Sequence, residues 1–138
     1  MKILEVKTEG RRLGDFGERA AVRLLRKKGY KILERNYAPE DAEIDIIAAK
    51  DGTTVFVEVK TRRTDDERIA KIEPRPASAV TREKQDAIIG CAKIFLAYHG
   101  DTRARFDIIE VYATGDAPRW KIVDIKHLEG AFGKRGYR

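Results

Sequence analysis

The sequence predicts an α/β fold, a central mixed β-sheet flanked by helices in the order α-β-β-β-α-β-β. Three observations lead there. Two stretches carry apolar residues at helical spacing, one on each side of a block of strand-like runs. An Asp51-Gly52 dipeptide parts two of those runs, and this pair suits the positive φ angles of a type I′ hairpin turn. A further pair of strand-like runs follows the second helical stretch, parted by Gly115-Asp116-Ala117-Pro118.

The first helix is expected over 14–28. Leu13, Phe16, Ala20 and Leu24 recur at helical spacing beside Gly17, Ala21 and Leu25. Asp15 suits the N-cap, with Glu18 three residues on in capping-box style, and Gly29 suits the stop. Residues 30–37 read as the first strand, and Ala38-Pro39-Glu40-Asp41 as a loop. Residues 43–50 and 53–62 form the hairpin. The stretch 63–80 is polar, holds Pro74 and Pro76 and shows no period, so it reads as a long mobile loop. Thr81 caps a second helix that runs to His99, with Ile88, Ala92, Phe95 and Leu96 on its apolar stripe and Gly100 at its end. Strands follow over 105–113 and 119–125, then a short amphipathic piece over 127–132 and a basic tail over 133–138.

A chain of 138 residues is expected to form one domain, 1–138, with room for a core. Charged residues make up 38% and the net charge is +6. That balance favours a polyanionic partner, nucleic acid or an acidic membrane surface. Cys91 is the sole cysteine, which argues against a disulfide framework or a cysteine-based zinc site. No apolar run approaches the roughly 18–20 residues of a membrane span, and the first residues lack the apolar centre of a signal peptide. A cytoplasmic protein with no membrane segment is expected.

The hairpin is where the chemistry concentrates. A two-residue turn pairs Lys50 with Thr53. Continued along the strands, that register sets Asp45 opposite Glu58 and Glu43 opposite Lys60. Alternation then gives one face to Ile44, Ile46, Ala48, Val55, Val57 and Val59, and the other to three carboxylates and a lysine. Like charges directly opposite on a sheet repel. At ~5 Å the repulsion is about 0.8 kcal/mol in water and about 3 kcal/mol at an effective dielectric of ~20. A divalent cation would reverse its sign. Two readings are open at this point: a metal site, or a solvated strand face with Lys60 and Glu43 in a cross-strand ion pair.

Asp45, Glu58 and Lys60 resemble the D…(D/E)-x-K signature of the PD-(D/E)XK nucleases. The surrounding motifs sharpen the likeness: Gly14-Asp15-Phe16-Gly17-Glu18-Arg19-Ala20-Ala21, Gly29-Tyr30, Arg35-Asn36-Tyr37, Glu43-Ile44-Asp45-Ile46-Ile47-Ala48 and Val55-Phe56-Val57-Glu58-Val59-Lys60-Thr61-Arg62, then Lys84-Gln85 and His127-Leu128-Glu129-Gly130-Ala131-Phe132. Together, over nearly the whole chain, they resemble the bacterial YraN family, whose members are endonuclease-like and similar in fold to archaeal Holliday junction resolvases. The resemblance implies a restriction-endonuclease-like fold and metal-assisted hydrolysis of phosphodiester bonds in DNA, branched or damaged DNA included. It implies that Asp45, Glu58 and the Val59 carbonyl hold Mg²⁺ or Mn²⁺, that Lys60 orients water or stabilises charge, and that Glu18 reaches the metal or its water. Two positions depart from the family pattern: Ala42 stands where Gly is usual, and Ala38 where a basic residue is frequent. Ala42 is harmless only where φ is negative.

Other residues carry two readings each. Glu18 could instead serve as an N-terminal capping partner. Lys84 and Gln85 lie in the first turn of the second helix, where N–H groups attract phosphate, or else simply face solvent. Arg62, Arg63, Arg82 and the basic tail could track a phosphate backbone. His99 and His127 lie outside any ligand spacing and read as helix-end or surface residues. Two functions from different classes follow: a metal-dependent endonuclease, or a nuclease-fold protein that binds nucleic acid, or acts as an adaptor in DNA processing, without cutting. Cutting a symmetric junction would imply a homodimer.

Overall fold

The computed structural model describes residues 8–64 and 80–133. Helix α1 spans Glu9–Lys27, followed by strands β1 (Lys31–Tyr37), β2 (Ile44–Lys50) and β3 (Thr53–Arg63); helix α2 (Arg82–His99) then leads to β4 (Arg103–Thr114) and β5 (Lys121–Phe132). The order is the expected α-β-β-β-α-β-β. The five strands form one mixed sheet in sequence order; β3 and β4 are parallel and the other neighbours antiparallel. A parallel pair needs a crossover, and α2 lies in that connection.

The hairpin turn behaves as the dipeptide demands. Asp51 and Gly52 have φ of 50° and 76°, and Lys50 pairs with Thr53. The paired register extends to Ile46 and Val57. Ile46, Ala48, Val55 and Val57 pack with Ala20, Ala21, Val22 and Leu25 of α1. On the opposite face Ile47, Phe56 and Phe106 pack with Ile88, Ile89, Ala92 and Phe95 of α2. One helix thus covers each face. Ile44 departs from the expected alternation and joins the cluster under α2. The second hairpin face is therefore apolar in its middle and charged only towards Glu58.

Among the boundaries that differ from the sequence reading, three bear on the site. Helix α1 begins about a turn earlier than expected: Thr8, not Asp15, is the N-cap, and its hydroxyl accepts from Arg11 N at 3.2 Å. Glu18 therefore sits well inside the helix and has no capping role. Strand β5 runs unbroken through 127–132, where a separate amphipathic piece was expected. Its register against β4 shifts between Phe106 and Ile108, next to Gly130 at φ 60°. The Gly130 N–H there donates to the Asp107 side chain at 2.9 Å. Such a bulge breaks the two-residue period and disguises the strand. Of the expected loop over 63–80, Arg63 belongs to β3, Thr64 is buried with its N–H donating to the Ala113 carbonyl at 2.7 Å, and Val80 is buried before Thr81; residues 65–79, like most of the tail over 133–138, lie outside the described residues. No helix among the described residues is long and apolar enough to cross a membrane.

Candidate active site

The close approach of α1 to β3 is set by Gly17. A Cβ there would lie 1.8 Å from Thr61 Oγ1 and 2.8 Å from Thr61 Cβ, so only glycine lets the helix rest on the strand. The next residue, Glu18, is thereby carried to the sheet end where Asp45 emerges from β2. Its carboxylate is buried and accepts from Arg35 Nη2 at 3.2 Å. Burial pushes the Glu18 carboxyl above its ordinary value; Arg35 opposes that push without cancelling it.

Asp45 stands beyond the last paired residues of the hairpin. Its Oδ2 accepts from the Val59 N–H at 2.8 Å. Desolvation, then the Glu58 charge, push its carboxyl up to about 7, against the Val59 hydrogen bond; Glu18 and Glu43 add to the push. Glu58 is buried in the same neighbourhood. Its Oε1 receives two ammonium groups, Lys84 Nζ at 2.7 Å and Lys60 Nζ at 3.7 Å. Lys60 thus pairs along its own strand with Glu58, and the cross-strand pair with Glu43 does not form. The Lys84 ammonium is raised in pKa: Glu58 and Asp45 outweigh the desolvation that would lower it.

Two clefts meet at this point. One, of about 610 Å³, lies on the α1 side and is lined by Gly14, Glu18, Asn36, Glu43, Asp45, Val59 and Thr61 among others. The other, of about 370 Å³, lies on the α2 side and is lined by Asp41, Ala42, Glu43, Asp45, Glu58, Lys84 and Ile88. Asp45 and Glu43 border both. Ala42 is not among the residues with positive φ, so the exchange of Gly for Ala carries no backbone strain. Asn36 does adopt positive φ, 53°, which asparagine tolerates better than most residues.

The remaining candidates take other places. Gln85 Nε2 donates to the Val80 carbonyl at 2.9 Å and closes the entry to its own helix. Arg62 Nε lies 3.8 Å from the buried Glu110, and Arg63 pairs with Asp116 at 2.9 Å and Glu9 at 3.7 Å. Both arginines are matched by acids within the fold. The sequence reading missed Lys84 as the nearest cation to Glu58, because the contact joins a helix to a strand far apart in the chain. It missed Arg35 for the same reason. The one local clue was Asn36, an unusual residue inside a strand pattern.

His127 also departs from expectation. It is no surface residue: its side chain is 3% exposed, and Nε2 lies 2.7 Å from Asp107 Oδ2. Asp107, His127 and Glu129 bring ligand-type atoms within 4.8 Å of one another. The cluster already holds a cation, however. Arg105 makes two contacts of 2.9 Å with Asp107 and one of 3.2 Å with Glu129, and Lys28 Nζ meets His127 Nδ1 at 2.8 Å. Burial pushes the Asp107 carboxyl up, but the bonds from His127, Arg105 and the Gly130 N–H outweigh it and hold it below the ordinary range. This is a satisfied polar lock between β4, β5 and the end of α1.

The donor set of the first site fits a hard divalent cation. It offers two carboxylates of different strands and the neighbouring backbone, all oxygen ligands. Desolvation first, and then the Glu58 charge, hold the Asp45 carboxyl above its ordinary range, and a bound cation would lower it.

Among the described residues, a mixed sheet flanked by two helices, with acids of β2 and β3 and lysines of β3 and α2 gathered at one place, defines an α/β protein of nuclease-like fold. The family model described as Uncharacterised protein family UPF0102 matches residues 17–111, a span that includes Glu18, Asp45, Glu58, Lys60 and Lys84. A UPF0102 protein of Prosthecochloris aestuarii is 45% identical over 123 residues, covering 87% of this chain and 92% of the relative. Another, from Caldanaerobacter subterraneus subsp. tengcongensis, is 37% identical over 134 residues, covering 96% of this chain and 100% of the relative. The chain belongs to UPF0102, the YraN family.

Proposed function

We propose that this protein is a metal-dependent nuclease that hydrolyses phosphodiester bonds in DNA. The observation that carries the reading is the apposition of Asp45 and Glu58, with two lysines on Glu58 and none on Asp45 among the described residues. A module that only bound nucleic acid would gain nothing from acids that repel phosphate. Asp45, Glu58 and the Val59 carbonyl would hold Mg²⁺ or Mn²⁺. The metal, when bound, supplies Lewis acidity: it lowers the pKa of water and neutralises charge on the phosphate. Lys60, held on the strand beside Glu58, stabilises developing negative charge. Glu18, buried at the edge of the cleft, orients water towards it. The positive net charge of +6 favours the polyanion while the acids mark one point on it. Branched or damaged DNA, and a dimer of this chain cutting two strands, extend the same reading.

The test is calorimetric titration with Mn²⁺, with and without a short duplex, on wild type and Asp45→Asn. Saturable binding lost in Asp45→Asn supports the site and leads to a cleavage screen on nicked, flapped and four-way DNA. Absence of binding even with DNA present would refute the metal mechanism. Duplex binding that survives without metal and without cleavage would favour the second reading, a binding or adaptor protein.

A further inference from the structure

Glu58 and Asp45 are neutralised very unequally. Glu58 Oε1 carries both lysines, whereas the described partner of the Asp45 carboxylate is the Val59 N–H. The two lysines also differ. Lys60 projects from β3 two residues beyond Glu58, stands 3.7 Å away and has a side chain 28% exposed. That distance is too long for a hydrogen bond. Lys84 reaches over from the first turn of α2, stands 2.7 Å away and is 46% exposed. Only Lys84 makes the short, charge-assisted contact, and it is the more exposed of the two.

We propose that Lys84 is a tethered cation that competes with a divalent ion for Glu58, so that loading the site releases its ammonium to the substrate phosphate. The proposal rests on the metal-nuclease reading and assigns Lys84 a task distinct from that of Lys60. Glu58 and the Lys84 that meets its Oε1 at 2.7 Å line one cleft with Asp41, Ala42 and Ile88. A cation binding both acids must take some of that negative charge away from Lys84. Lysine suits the exchange because it is a compact point charge on a flexible stem, without the bidentate grip of arginine. Once released, the same group stands at the cleft without its short Glu58 contact, and a phosphate oxygen entering the cleft can replace it. Metal and DNA binding would then be coupled through one side chain, and the coupling must be reciprocal.

The experiment measures Mn²⁺ affinity without DNA for wild type, Lys84→Met, Lys84→Gln and Lys60→Met, together with anisotropy of a labelled duplex with and without Ca²⁺. Loss of the competing ammonium should tighten Mn²⁺ binding about tenfold in both Lys84 variants, the scale of one charge-assisted contact. Lys60→Met should change it less. Duplex affinity should fall in the Lys84 variants only when Ca²⁺ is present. Unchanged or weaker Mn²⁺ binding in Lys84→Met, beside normal binding by wild type, overturns the proposal and leaves the metal site standing. An equal loss of duplex affinity with and without Ca²⁺ also overturns it, since Lys84 would already lie on the phosphate. No Mn²⁺ binding by any of the four proteins removes the metal-nuclease reading itself.

Discussion

Asp45→Asn should stabilise the metal-free protein, by an amount that grows from about pH 4 to about pH 7 and is largest above it. The Asp45 carboxyl is pushed from 3.8 up to about 7 by desolvation and the Glu58 charge. The folded chain then holds a proton that the unfolded chain gives up, across the window from about pH 4 to pH 7. Stability contributed by that proton is present at low pH, declines as pH rises through the window and is absent above it. A shift of roughly three units at 1.36 kcal/mol each sets an upper limit of about 4 kcal/mol. Glu58 shares the repulsion and would relax when Asp45 loses its charge, so a gain of about 1–3 kcal/mol above pH 7 is expected. The asparagine oxygen still accepts from the Val59 N–H, so the hydrogen bond itself survives. For a chain of this size the gain corresponds to a rise in Tm of roughly 3–9 °C. Thermal melts of both proteins in EDTA across the window provide the assay. Their curves should coincide near pH 4 and separate as pH rises. Parallel profiles, or a variant less stable than wild type above pH 7, would show that Asp45 is not electrostatically frustrated.

Asp107 should behave in the opposite sense. Its carboxyl is held below the ordinary range, so its stabilisation is present above the unfolded carboxylate value and is lost as pH falls through the folded one. Asp107→Ala leaves Arg105 without its buried partner and should cost about 3–5 kcal/mol in urea unfolding while leaving Mn²⁺ affinity unchanged. Gly17→Ala should cost at least about 1–3 kcal/mol through overpacking against Thr61. Adding Thr61→Ala should recover part of that loss, because the hydroxyl at 1.8 Å disappears, and denaturant midpoints of the single and double variants will decide. Mn²⁺ in hundredfold excess over its Kd should stabilise wild type by about 2.7 kcal/mol and Asp45→Asn by far less, read as the difference between melts with Mn²⁺ and with EDTA.

What the sequence determined by itself was local. Asp51-Gly52 dictated the hairpin turn and with it the register from Lys50–Thr53 to Ile46–Val57, because only a few residues accept two positive φ angles in succession. Thr81 and Gly100 marked α2, since a hydroxyl cap and a left-handed stop act within one turn. Apolar periodicity gave the element order, and the hairpin spacing brought Asp45 and Glu58 to one neighbourhood. Tertiary packing decided what distant elements do to one another. Lys84 meets Glu58 because α2 crosses the sheet, and Glu18 reaches the cleft because Gly17 rests on Thr61. His127 is buried beside Asp107 because a bulge at Gly130 turns β5 across β4. Contacts across long stretches of chain leave no local periodicity, so charge balance at the site belongs to the folded arrangement and not to the spacing of its residues.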